Sequence, residues 1–114
     1  RRPPRPTRKV TLFPYTTLVR SGTAALKLCG DYAEIKSFFV TDAARGRGIG
    51  AALLRQIEDT ARTEGVTDLK LETAELLDAA CRLYERHGFA RRGPFGAYAE
   101  NGTSVFMEKT LPPV

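Results

Sequence analysis

The chain has 114 residues, 42% hydrophobic and 27% charged, enough for one folding unit with a core and too few for two. No apolar run reaches the ~18–20 residues of a membrane span and the charged N-terminus has no apolar signal segment, so a soluble, cytoplasmic chain without a membrane partner is expected. The net charge of +5 is local: residues 1–21 hold six cations and no acid, whereas the rest sets twelve cations against thirteen acids, which excludes the broad basic footprint of a nucleic-acid binder.

Residues 1–21 (RRPPRPTRKVTLFPYTTLVRS) read as a basic, Pro/Arg-rich tail, disordered over its first nine residues or foreign to the domain, with an edge strand over Thr11–Val19 broken at Pro14. The domain itself is expected over 22–111, with 112–114 a terminal tail. Thr23–Cys29 and Tyr32–Val40 form a hairpin about Gly30-Asp31. After the loop TDAARGRG, Ile49, Ala52, Leu53, Ile57 and Ala61 recur at helical spacing until Gly65. Thr67–Glu72 is a short strand, and Asp78–His87 a second helix stopped by Gly88. Phe89–Tyr98 and Thr103–Leu111 are extended and joined by a tight turn at Asn101-Gly102. The order is β-β-α-β-α-β-β, a mixed α/β sheet. Cys29 and Cys81 are free thiols, and with one histidine, His87, and no ligand spacing, no metal is expected.

Chemistry is concentrated between the second strand and the first helix, at Arg45-Gly46-Arg47-Gly48-Ile49-Gly50-Ala51. Glycines let a backbone approach an anion, a helix start adds about half a positive charge, and Arg45 and Arg47 add donors for phosphate oxygens. GRGIGA fits the dinucleotide fingerprint G-x-G-x-x-A, with Glu72 about twenty residues on as a ribose-binding acid, which would make the chain a nicotinamide-dinucleotide oxidoreductase. Against that, Thr41–Arg45 intervene between strand and first glycine, and a C-terminal hairpin replaces the further βαβ units. RGRGIG equally fits the pattern [Q/R]-x-x-G-x-[G/A] of an acyl-CoA pyrophosphate loop.

Four segments in order decide between these readings. AEIKSFFV (33–40), RGRGIG (45–50), LKLET (69–73) and LYERHGF (83–89) resemble the GNAT superfamily of N-acetyltransferases across 22–111. The resemblance implies a mixed, mostly antiparallel GNAT-type sheet, truncated at its N-terminus. It also implies acetyl-CoA as cosubstrate and acetyl transfer to a primary amine, of a small molecule or a peptide, by direct attack in a ternary complex. Phe38, Phe39, Val40, Arg45, Gly46, Arg47, Gly48, Ile49, Gly50 and Ala51 would bind acetyl-CoA; Glu34 would be the base and Tyr84 the acid on the departing thiolate. Without the resemblance, Glu34 reads equally as a solvent-facing strand carboxylate, and the bland alternative to the acid role of Tyr84 is a packed aromatic on an amphipathic helix. Leu77 stands where the family often has a polar cofactor contact. The family's strand, two helices and further strand before Gly22 are replaced by 21 unlike residues, so an inactive acetyl-CoA-binding fragment and a homodimer paired through uncovered apolar surface are also expected forms.

Overall fold

The computed structural model describes residues 8–12, 22–40 and 48–112. Strand β1 (Arg8–Leu12) lies antiparallel on strand β2 (Gly22–Leu28), with Val10 opposite Leu26. The sheet therefore reaches into the stretch expected to be disordered, because Lys9-Val10-Thr11-Leu12 carries strand-prone residues that the surrounding prolines and arginines obscure. This edge strand begins at Arg8 instead of Thr11, and its expected continuation to Val19 lies outside the described residues. Gly30 (φ 86°) then turns the chain, the Cys29 amide donates to the Tyr32 carbonyl at 2.9 Å, and β3 (Ala33–Val40) returns along β2.

Helix α1 (Ile49–Thr63) buries Leu53, Leu54, Ile57 and Ala61, the apolar stripe read from the sequence. It ends on a left-handed Gly65 (φ 77°), whose amide donates to Arg62 O while the Val66 amide donates to Ala61 O, the paired bonds of a Schellman turn. Strand β4 (Asp68–Ala74), helix α2 (Asp78–Arg86), strand β5 (Ala90–Arg92) and strand β6 (Ser104–Thr110) follow. The sheet runs β1-β2-β3-β4-β6-β5, and β3–β4 is its parallel pair, as the intervening helix requires. Both helices pack on one face, over a core that includes Leu26, Ile35, Leu69, Leu71 and Met107. Each such side chain contributes on the order of 1.5–3 kcal/mol through burial.

The C-terminal pair departs from a tight hairpin. Arg92 is opposite Phe106, so residues 93–103 form the connection. Pro94, with no N–H to give a ladder, ends pairing early. Asn101 instead closes a side-chain turn, its Oδ1 accepting from the Thr103 and Ser104 amides at 2.9 and 2.8 Å. The released segment lays Phe95 and Tyr98 over the sheet's second face, edge-on to Tyr32 and beside Phe106.

Candidate active site

Strands β3 and β4 pair only from Ala33↔Leu69 to Ile35↔Leu71 and then part. Beyond that point β3 follows β2 to Val40, and β4 follows β6 to Ala74. A bulge accounts for the separation. Register across β2 passes from Ala25↔Lys36 to Thr23↔Phe39, so Ser37 and Phe38 share one partner position, and Ser37 takes φ 53°. A left-handed non-glycine residue costs about 1–3 kcal/mol, which the surrounding structure must offset. From Lys36 onward the edge of β3 that faces β4 has no strand partner, which leaves main-chain donors and acceptors for an extended amide-bearing ligand.

The start of α1 lies next to this opening in sequence. Gly48 caps the helix in the left-handed conformation (φ 75°) without any side-chain cap, and the first turn has no acid. The first intrahelical bond joins the Ala52 amide to Gly48 O at 3.0 Å. The amides of Ile49, Gly50 and Ala51 therefore have no acceptor within the helix, the arrangement that attracts a phosphate. A Cβ placed on Gly48 would meet nothing within 4 Å, so the cap opens outward. Gly50 has a packing duty as well: a Cβ there would stand 2.8 Å from Leu83 Cδ2, so glycine lets α1 begin directly against α2. Arg45, Gly46 and Arg47 lie outside the described residues.

Tyr84 is buried against the parted half of β3. Its ring meets Phe38 edge-on at 5.5 Å and Phe89 at 5.7 Å. The signature LYERHGF is the reason. Gly88 (φ 90°) donates to Glu85 O and Phe89 to Tyr84 O, so the turn that ends α2 presses Phe89 onto Tyr84. Burial pushes the phenol well above the ordinary tyrosine value, and it keeps its proton at neutral pH. Its hydroxyl makes no hydrogen bond among the described residues. Phe38 and Val40 pack against the core, whereas Phe39 is 56% exposed.

Glu34 is not solvent-facing. It is 4% exposed, on the opposite face from Tyr84, one position before the strands part. Tyr98 Oη donates to its Oε2 at 2.5 Å, and Lys36 Nζ lies 3.5 Å from the same oxygen while donating to Tyr98 Oη at 3.2 Å. The hydrogen bond from Tyr98 was missed because 89–98 reads as continuous strand; two aromatics spaced by Gly96 without alternation are the signal it carried. Leu77, at the N-cap of α2, has no side-chain cap bond, and its exposed side chain offers no polar contact.

The dinucleotide reading finds no footing. Glu72 accepts from Ser104 Oγ at 2.6 Å across the β4–β6 pair, and among the described strands only β3 and β4 are parallel. Cys81 is buried, which pushes its thiol up, and Cys29 is half-buried; both are free. His87 caps the end of α2. Among the described residues no three metal-ligating side chains cluster.

A family model, the acetyltransferase (GNAT) family, matches residues 15–89. The chain is 46% identical over 95 residues to an IAA acetyltransferase of Azospirillum brasilense, covering 83% of this chain and 62% of that protein. It is 36% identical over 94 residues to the uncharacterized N-acetyltransferase YsnE of Bacillus subtilis, again covering 62% of the relative. The chain thus spans about 62% of the length of these curated relatives. Among solved structures, a provisionally assigned acyl-CoA N-acyltransferase from Klebsiella pneumoniae superposes with TM-score 0.86 at 32% identity, covering 90% of this chain and 72% of that one. PaiA N-acetyltransferase from Thermoplasma acidophilum, solved with coenzyme A, shares the fold with TM-score 0.78 at 20% identity, over 90% of this chain and 60% of that one. By sequence and by fold, the chain belongs to the GNAT family of acetyltransferases.

Proposed function

We propose that this chain transfers an acetyl group from acetyl-CoA to a primary amine by direct attack in a ternary complex. The observation that carries the reading is the parting of β3 from β4 beside an uncapped helix start. The α1 amides of Ile49, Gly50 and Ala51, with Gly48 and the neighbouring Arg45, Gly46 and Arg47, would hold the diphosphate. The unpaired edge of Phe38, Phe39 and Val40 would hydrogen-bond the pantetheine amides. Acetyl-CoA supplies the acyl group as a thioester, activated for attack by nitrogen.

An alkyl amine with pKa about 10 is mostly protonated at neutral pH, so a base must take its proton. Glu34 does so through the oxygen that Tyr98 leaves free, directly or through a water. Main-chain N–H groups near Phe39 and Val40 polarise the thioester carbonyl. As the C–N bond forms and the C–S bond breaks, Tyr84 gives its proton to the sulfur. A phenol is a weaker acid than a thiol (pKa about 8.5), and burial weakens it further, so this donation depends on alignment with the leaving group. The acceptor is a small molecule or a peptide amine. Two free cysteines suit a reducing cytoplasm.

Calorimetry with acetyl-CoA and with NAD, followed by a thiol-release assay over a panel of amines, tests the proposal. Acetyl-CoA should bind and NAD should not. Tyr84→Phe should lower turnover by about 100-fold while acetyl-CoA affinity holds. Acetyl-CoA binding with no thiol release on any amine would reduce the chain to a binding module.

A further inference from the structure

We infer that Tyr98 is a positioning residue for acetyl transfer: with Lys36 it binds one oxygen of Glu34 so that the other oxygen faces the incoming amine. The inference rests on the reading of Glu34 as the base. Glu34 is a carboxylate buried to 4% exposure, and a buried acceptor needs partners. Its partners all fall on Oε2: the Tyr98 hydroxyl at 2.5 Å and the Lys36 ammonium at 3.5 Å. Oε1 has no partner among the described residues. Held by one oxygen, the carboxylate cannot exchange its two ends, and a base fixed in orientation gains from proximity what a rotating one loses.

The direction of these bonds is also fixed. An ammonium only donates, so Tyr98 Oη accepts from Lys36 at 3.2 Å and its single proton is directed at Glu34. Burial and the Glu34 carboxylate both push the Tyr98 phenol up, which keeps that proton in place. Tyr98 is immobilised in turn. Its ring meets Phe95 at 5.1 Å and Phe106 at 5.5 Å, and its amide donates to Phe95 O at 3.0 Å. The turn between them passes through Gly96 at φ 57°, where a Cβ would come within 3.0 Å of Tyr32 Oη. The 93–103 connection is shaped to deliver one hydroxyl to the strand position beside the opening, and Lys36 is the first residue of β3 beyond its pairing with β4.

The test is a double-mutant cycle in the full chain, on the best acceptor of the amine panel. Tyr98→Phe should lower kcat about 10-fold, the effect of one hydrogen bond to a charged group, with acetyl-CoA affinity by calorimetry unchanged. In a Glu34→Gln background the same substitution should cost nothing further. Lys36→Met, at a half-exposed site, provides a second handle: a fall of about 5-fold that also vanishes once Glu34 is Gln. Wild-type turnover in Tyr98→Phe, or an equal loss in both backgrounds, overturns the inference and leaves the base assignment standing. Full turnover in Glu34→Gln overturns both. A wild-type chain that acetylates no amine ends the functional reading itself.

Discussion

Tyr84 and Tyr98 stand on opposite faces of one sheet, and the chain holds them by different means. Tyr84 is fixed locally, by the turn that closes its own helix and by Phe89 five positions on. Its surroundings are apolar, and burial leads the upward shift of its phenol. Tyr98 is fixed at long range, bonded to Glu34 and Lys36, 64 and 62 positions away. Burial and Glu34 push its phenol up while Lys36 pulls it down. The helix-covered face stores stability in packing, which tolerates little loss of volume. The other face holds its tyrosine through directed bonds, from Tyr98 and the partly exposed Lys36 onto the buried carboxylate of Glu34.

The largest effect that separates the two faces is expected at Phe89, which is buried and lies on the helix-covered side. Phe89→Ala should lower unfolding stability by about 3–5 kcal/mol, by lost transfer energy and an unfilled cavity. Total stabilities run to about 5–15 kcal/mol, so the denaturant midpoint should fall steeply. An unchanged midpoint would mean that Tyr84 is not held by this contact.

A middle effect is expected at the seam between strand pairing and opening. A Cβ on Gly22 would come 2.8 Å from the Phe39 carbonyl oxygen and 3.1 Å from Leu53 Cδ1. The first of these is backbone of the parted half of β3, which cannot yield without moving the bulge. Gly22→Ala should cost about 1–3 kcal/mol in denaturation and should also weaken acetyl-CoA binding in calorimetry. A loss of stability with intact binding would detach the bulge from the cofactor edge.

The same contrast sets what could be read from residues alone. The helix face was legible because its signals are local: apolar spacing for α1, Gly65 and Gly88 for the helix ends, and LYERHGF for the packed tyrosine. The second face was not. Ser37 adopts a left-handed φ with no glycine to announce it, and the bulge shows only in the register with β2. Glu34 was singled out, but its burial depends on a loop that reads as strand until Pro94 and Asn101 are seen to divert it. The edge strand at Arg8–Leu12 was masked by its composition for a related reason: charge and proline counts average over a window, whereas pairing is decided residue by residue.

The smallest effect is expected on the second face, at Glu108, whose Oε1 accepts from Arg92 Nη1 at 2.5 Å and lies 3.4 Å from Lys70 Nζ. The hydrogen bond from Arg92, ahead of that from Lys70, holds this carboxyl below its ordinary value of 4.5. A depressed carboxyl favours the folded chain above the unfolded value, and that contribution is lost as pH falls through the folded one. The side chain is 41% exposed, so solvent screens the pair, and Glu108→Gln should cost less than about 1 kcal/mol near neutral pH. The gap between wild type and variant should narrow as the pH drops below 4.5, and again at about 1 M salt. Lys70 keeps Asp68 at 2.5 Å in either case, which limits the damage. Denaturant midpoints for the two chains across that pH range measure the effect directly. A loss at Glu108 as large as that at Phe89 would mean that the charged face carries the fold as much as the packed one does, and the division of labour between the two tyrosines would fail with it.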